Sequence, residues 1–423
     1  MTGHGPRPDR LVVAGGHVLT MDPATGDLPR ADVLVENGRI ADVRQDIEAP
    51  GAERIDARHC LVLPGFVDTH RHMWQAVLRG YGADQTLEEY FGATLHAYGS
   101  SLGPGELHLG NLLSALGALD AGVTTVQDIS NATKSTEEHT DALVDALEES
   151  GIRAVFAYGH GPEADARRIR SRRLHSADAL VTMALNAELG GDASVRRDWG
   201  LARELGIPLA LHVRGGQPLS RLRRLGLLRP GTVYIHGTGL DRGELKLIAD
   251  SGGALSIAPA IEMTMGHGLP PFAAAASAGL RPSLSADVEV AAGSDLFGQM
   301  RTAFQVSRFA VLHRHDDAPD RLPTSRDILE FATIEGARAL GLDDRIGSLT
   351  PGKQADLVVL RADRPGVVPV HDAVKTVVCA MDRADVDTVL VAGRIVKRAG
   401  HLLRPDLAAL VDRAAAVRDR LTG

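Results

Sequence analysis

The chain has 423 residues, too many for one hydrophobic core, since single cores stop growing near ~250–300 residues. Its 44% hydrophobic and 24% charged residues exclude a mainly disordered polymer, and a net charge of −8 excludes a surface built to neutralise nucleic-acid phosphates or coat an anionic membrane. Small solutes are the expected partners. Two cysteines, Cys60 and Cys379, are too few for a disulfide scaffold, and neither a signal-peptide core nor a run of ~18 apolar residues is found, which predicts a reduced, cytoplasmic protein.

The first sixty residues read as short strands at 11–14, 17–21, 32–35 and 39–43, the last two joined by the turn signal Asn37-Gly38. The middle of the chain alternates short aliphatic runs with helical stretches, the pattern of parallel strands joined by helices. Strands are predicted at 65–69, 124–128, 154–157, 180–183, 208–212, 233–236, 254–257 and 281–285, and helices at 105–121, 136–150 and 326–340. Eight such strands close a barrel. The arginine-rich stretch 167–173 reads as a solvated helix face. Strand texture returns at 355–360, 374–379, 388–391 and 394–396, and a closing helix is predicted at 405–421.

In an α/β barrel the active site forms at the carboxyl ends of the strands. The first predicted strand runs Pro64-Gly65-Phe66-Val67-Asp68-Thr69-His70-Arg71-His72, and two histidines one residue apart there point the same way. The fifth ends on His212, the sixth on His236 and the eighth runs into Asp287. Histidine nitrogens and a carboxylate suit Zn²⁺ or Fe²⁺ and leave a position open for water.

The run 63–72 resembles the signature of the amidohydrolase superfamily, in the branch that contains cytosine deaminase, guanine deaminase and the triazine hydrolases. The resemblance covers nearly the whole chain: Gly122-Val123-Thr124-Thr125-Val126-Gln127-Asp128, His212, His236 with Gly237-Thr238, Asp287, the segment 332–341, and the segment 347–359 that is similar to the family's return into a small β-sandwich. It implies a (β/α)8 TIM-type barrel at 64–346, with a β-sandwich formed from 1–63 and 347–423, the latter including the closing helix. It implies that His70, His72, His212 and Asp287 bind one divalent metal ion, Zn²⁺ ahead of Fe²⁺, that His236 polarises the electrophile, and that Asp287 takes the proton from water. Binuclear relatives bridge their metals through a lysine on the fourth strand, and 180–190 has none. Relatives are often homodimers.

In the deaminases a glutamate three residues after the fifth-strand histidine shuttles protons. Here His212 is followed by Val213, Arg214 and Gly215. Glu262 and Glu289, in loops after the seventh and eighth strands, are the candidate replacements at the mouth. Trp74, Gln75, Arg214 and His267 are candidate substrate contacts, with His160 and Tyr158 behind them. The expected function is hydrolysis of a C–N bond in a small cyclic or heteroaromatic compound, read first as deamination. The alternatives are a cyclic-amide or dehalogenating hydrolase, and a non-catalytic ligand-binding member of the same fold.

Overall fold

A computed structural model describes residues 7–132, 135–216, 219–313 and 321–422. Residues 1–6 and Gly423, which belong to the expected sandwich segments, lie outside them. Eight parallel strands follow in chain order, Phe66–Arg71, Val123–Ser130, Arg153–Tyr158, Val181–Ala187, Leu209–Val213, Thr232–His236, Ala254–Ile257 and Ser283–Leu284, each paired with the next. The first three are buried at every position, which is why they read as continuous apolar runs and not as alternation.

The eighth strand contributes only two residues to the ladder, so the ring closes by other means. The Asp287 N–H donates to the His70 carbonyl (3.0 Å) and the His72 N–H donates to the Asp287 carbonyl (2.9 Å), a parallel bridge centred on Arg71 and Asp287. One layer below, the Thr69 hydroxyl lies 2.7 Å from Ser256 Oγ, 2.8 Å from Ser283 Oγ and 3.1 Å from the Leu284 carbonyl. Asp68 Oδ1 accepts from the His70 and Ala286 N–H groups, both at 3.2 Å, and Oδ2 accepts from Arg71 Nε at 2.8 Å. Arg71 donates onward to Glu289 Oε1 (3.1 Å) and the Ser294 carbonyl (2.8 Å), and Arg79 Nε donates to Glu289 Oε2 (2.7 Å). Asp68, Arg71 and Glu289 are all buried. Burial raises the Glu289 carboxyl's pKa, but Arg71 and Arg79 outweigh it and hold the group below its ordinary range.

Both chain ends meet in one nine-stranded mixed sheet, where Leu357–Arg361 pairs antiparallel with Cys60–Pro64. Its apolar core includes Leu11, Val33, Ile40, Val62, Val359 and Ile395. Asn37 and Gly38 both take positive φ (51° and 78°), as the two-residue hairpin turn requires. The arginines of 167–173 lie on and just past the helix Glu163–Arg172, where Arg167, Arg168 and Arg173 are ion-paired to carboxylates of neighbouring helices. The closing helix spans Leu407–Thr422 and buries Leu410. Among the described residues no helix is long and apolar enough to cross a membrane.

Three predictions differ, the first because the strands expected at 11–14 and 17–21 form one strand, Arg10–Leu19. The expected strand at 374–379 is a helix, Ala373–Cys379: the Asp372 side chain accepts from the Lys375 N–H at its N-terminus, and Val374, Val377 and Val378 fall on one buried helical face. A cap and a 3.6-residue stripe overrode β-branched propensity. The expected helix at 326–340 is two, Ser325–Phe331 and Ile334–Ala339, broken at Thr333 (φ −131°, ψ −95°). The break frees the Ala332 carbonyl to accept from the Val67 N–H of the first barrel strand (2.9 Å). It also seats Gly336 where any Cβ would lie 2.8 Å from that of Val67.

Removing one partner of a buried ion network costs about 3–5 kcal/mol. Glu289→Gln should therefore lower the denaturant midpoint by that equivalent at unchanged slope. A midpoint equal to the parent's would show that the network does not hold the closure.

Candidate metal centre

The strand ends bring five side chains to one point. His70 and His72 leave the same face of the first strand, His212 stands on the fifth, His236 ends the sixth, and Asp287 follows the eighth. His70 Nε2 lies 3.1 Å from His72 Nε2 and 3.2 Å from His212 Nε2. Asp287 Oδ1 is 3.5 Å from His70 Nε2 and 3.6 Å from His72 Nε2, and its Oδ2 is 3.7 Å from His236 Nε2. His236 and Asp287 both adopt left-handed backbone (φ 69° and 61°), a conformation costing ~1–3 kcal/mol that collects at functional sites. It turns each side chain across the mouth instead of along the barrel wall.

The donor chemistry fits a cation. Burial is the largest cause in holding His70 and His212 well below the ordinary imidazole pKa and in pushing His72 down to about 4, so these rings are neutral. The tautomer of His72 is fixed by its neighbours: Asn131 Oδ1 lies 2.9 Å from His72 Nδ1 and also 2.9 Å from Trp74 Nε1. An indole nitrogen only donates, so the Asn131 atom is the oxygen, His72 Nδ1 carries the proton, and the Nε2 lone pair faces His70. Lone pairs and a carboxylate at these separations repel unless a positive charge sits among them. Separations of 3.1–3.6 Å are those of ligand atoms ~2.0–2.2 Å from one ion. The fourth barrel strand, Val181–Ala187, carries no lysine that could bridge a second.

His236 is held from behind. Its Nδ1 lies 3.1 Å from Glu262 Oε1, which also accepts from the Ala258 N–H at 2.9 Å. Burial opposes a charged ring at His236, but its hydrogen bond to Glu262 and the charges of Asp287 and Glu262 outweigh it and raise its pKa. Asp287 itself is lifted to about 7, chiefly by burial.

A cavity of about 420 Å³ opens over the cluster, lined by His72, His212, His236 and Asp287, by Asn131, Asn186, Arg214 and His267, and by an apolar set that includes Tyr90, Phe91, Leu95 and Met265. Arg214 and His267 therefore stand where the sequence expects substrate contacts. Burial pushes His267 down to about 3, leaving a neutral ring 4.6 Å from that of His236. His160 also lines the cavity, 3.2 Å from Glu188, whereas the Tyr158 hydroxyl is turned away onto Pro162 and Asp165.

Four expectations need correction. Glu262 is fully buried behind His236 and does not line the cavity, and Glu289 is locked between Arg71 and Arg79, so neither carboxylate faces the mouth. Trp74 is fully buried with its indole N–H on Asn131, and Gln75 is buried with Nε2 donating to the Tyr90 hydroxyl at 2.6 Å, so both stand behind the wall. The residues not anticipated are Asn131, just past the second strand, with Tyr90, Asn186 and Glu188. Asn131 follows Ser130 at a strand end, and the rule that found the histidines would have found it had amides been weighed with metal ligands.

Gly215 settles why no shuttle follows His212. A Cβ at this position would lie 2.6 Å from the Gly239 carbonyl oxygen, while the Gly215 N–H donates to the Thr238 carbonyl at 2.7 Å. The backbone leaves no room for any side chain.

Residues 61–396 match the amidohydrolase family. A 5-methylthioadenosine/S-adenosylhomocysteine deaminase from Halobacterium salinarum is 30% identical over 437 residues, covering 96% of this chain and 97% of its own. The structure of an adenosine deaminase from Xanthomonas campestris with bound zinc matches with a TM-score of 0.86 at 27% identity, over 98% of this chain and 99% of that one. An atrazine chlorohydrolase from Arthrobacter aurescens complexed with zinc matches with a TM-score of 0.85 at 21% identity, over 96% and 99%, a likeness of fold alone. The purified protein should hold about one Zn²⁺ or Fe²⁺ per chain, and His70→Ala or His72→Ala should lower metal content and activity together without unfolding it. Two tightly held ions, or full activity in either variant, would contradict the single-ion cluster. From its strand-end cluster, its match to the family and its near-full-length relative, the chain belongs to the amidohydrolase family and is a metal-dependent hydrolase of carbon–nitrogen bonds.

Proposed function

We propose that the enzyme removes an exocyclic amino group, by hydrolysis, from an aminated heteroaromatic ring of nucleoside size. The observation that carries this reading is the convergence of His70, His72, His212, His236 and Asp287 beneath a cavity of about 420 Å³ whose wall combines an apolar set with polar side chains such as Asn186, Arg214 and His267. The relatives named for methylthioadenosine and adenosine support an adenine-type ring.

In this assignment His70, His72, His212 and Asp287 hold one divalent ion, which when bound supplies a Lewis acid and lowers the pKa of water toward ~7. His236, kept in its tautomer by Glu262, stabilises charge that develops on the reacting centre. Asp287 accepts the proton of the attacking water and returns it to the departing nitrogen, so that oxygen joins carbon, the C–N bond breaks and ammonia leaves. Arg214 and His267 position the ring from the side. A second reading, opening of a cyclic amide or displacement of halide, is favoured by Gly215, because neither reaction demands a second acid at a ring nitrogen.

The deficit of positive charge supports a free small molecule over nucleic acid as partner, and the family resemblance supports a homodimer. Incubating the metal-loaded enzyme with aminated, lactam and halogenated heterocycles should release ammonia from the aminated ones without ring opening or halide release; ring opening or halide release without ammonia would transfer the assignment to the second reading. His236→Asn should keep most of the metal and lose ~10²–10³ in turnover, as removal of one electrostatic contact does. Loss of the metal with the rate would make His236 a ligand instead.

A further inference from the structure

We propose that Asn131 is a substrate-binding residue whose side-chain N–H group donates to an acceptor atom of the ring beside the carbon that loses its nitrogen. The proposal rests on the deaminase reading for the identity of that carbon, and on geometry for the rest. Trp74 Nε1 can only donate, so the Asn131 atom 2.9 Å from it is Oδ1, and the amide's orientation follows. The same oxygen faces His72 Nδ1 at 2.9 Å. Both of its acceptor positions are thereby used by protein donors. What remains is Nδ2, with two N–H bonds and no acceptor on the protein among the described residues, on a half-buried side chain that lines the cavity beside His72 and Asp287.

A half-buried donor that no protein acceptor meets is free to pair with a ligand that enters the cavity. Its complement is a ring nitrogen lone pair or an exocyclic oxygen, not an N–H edge. The location adds a chemical consequence. Asn131 stands one imidazole ring away from the metal cluster, so an acceptor it reaches is close to the reacting carbon. When water attacks, electron density flows onto the neighbouring ring nitrogen, and a fixed donor there stabilises it. Gly215 leaves no side chain to protonate that nitrogen, so a neutral hydrogen bond from Asn131 takes over the stabilising part of the task without transferring a proton. One side chain thus orients a metal-binding histidine through its oxygen and reads the substrate through its nitrogen.

The test compares adenosine with 1-deazaadenosine and 7-deazaadenosine, each lacking one acceptor nitrogen, by calorimetric binding to the zinc-loaded parent and to Asn131→Asp. The aspartate can still accept from His72 and Trp74 but has no N–H. The parent should bind adenosine at least ~10-fold tighter than 1-deazaadenosine, which lacks the nitrogen bonded to the reacting carbon, and a penalty confined to 7-deazaadenosine overturns the proposal. Asn131→Asp should hold about one metal ion and bind that pair alike. A penalty for the missing nitrogen that is the same in both proteins overturns the proposal, and so does a parent that binds all three equally, a result that needs no variant. Ammonia release is followed separately. Ammonia from adenosine with no Asn131-dependent discrimination sinks this proposal and leaves the deaminase reading standing; Asn131-dependent discrimination without ammonia does the reverse. An enzyme that binds none of the three overturns both.

Discussion

The barrel is closed by the backbone of a residue that also belongs to the site. Asp287 receives and returns the two hydrogen bonds that join the first and eighth strands, at the carbonyl of His70 and the N–H of His72. Because its main chain is committed to closure, its side chain is left to lie across the mouth, and the left-handed φ of 61° is the cost of that double duty. The strain persists because the buried Asp68–Arg71–Glu289 network clamps both strands from behind. Stability and site geometry therefore share one set of bonds.

Around that point the protein controls tautomers more than charges. Neutral imidazoles have two inequivalent nitrogens, and only the unprotonated one is useful to a cation. Asn131 fixes His72 and Glu262 fixes His236, each by accepting at Nδ1 so that Nε2 faces the centre. The two orienting groups differ in one respect that follows from their roles. A neutral amide leaves His72 neutral, as a ligand must be, whereas a carboxylate behind His236 raises its pKa, which suits the charge-stabilising role proposed for that ring.

The strand ends were legible because parallel strands buried on both faces must be apolar, so a histidine or aspartate closing such a run stands out. His70, His72, His212, His236 and Asp287 were found this way, and the structure brings all five together. Depth was not legible. Glu262 and Glu289 each follow a barrel strand, and nothing in the one-dimensional pattern distinguishes a carboxylate at the mouth from one that supports a histidine or pairs with an arginine. Trp74 stands two residues after His72, yet its ring packs inward while its N–H reaches the rim only through Asn131. The break at Thr333 was equally hidden, because it answers a hydrogen-bond need of Val67, more than 260 residues earlier in the chain.

The close approach of Gly215 to Gly239 bears on the chemistry more than a simple substitution would. Had another polar residue replaced the shuttle, the site would keep a proton carrier at the same place with altered strength. Instead the fifth- and sixth-strand loops meet backbone to backbone, with the Gly215 N–H on the Thr238 carbonyl, and the space is gone. General acid catalysis contributes ~10²–10⁴ in rate, so its loss from one position must be met from the groups that remain on the cavity wall. On the assignment proposed above, Asp287, the carboxylate beside the metal-binding nitrogens, is the group placed to take and give that proton. If Asp287 and Asn131 act as proposed above, the arrangement suits a ring whose nitrogen needs only a hydrogen bond and disfavours one that requires full protonation before attack.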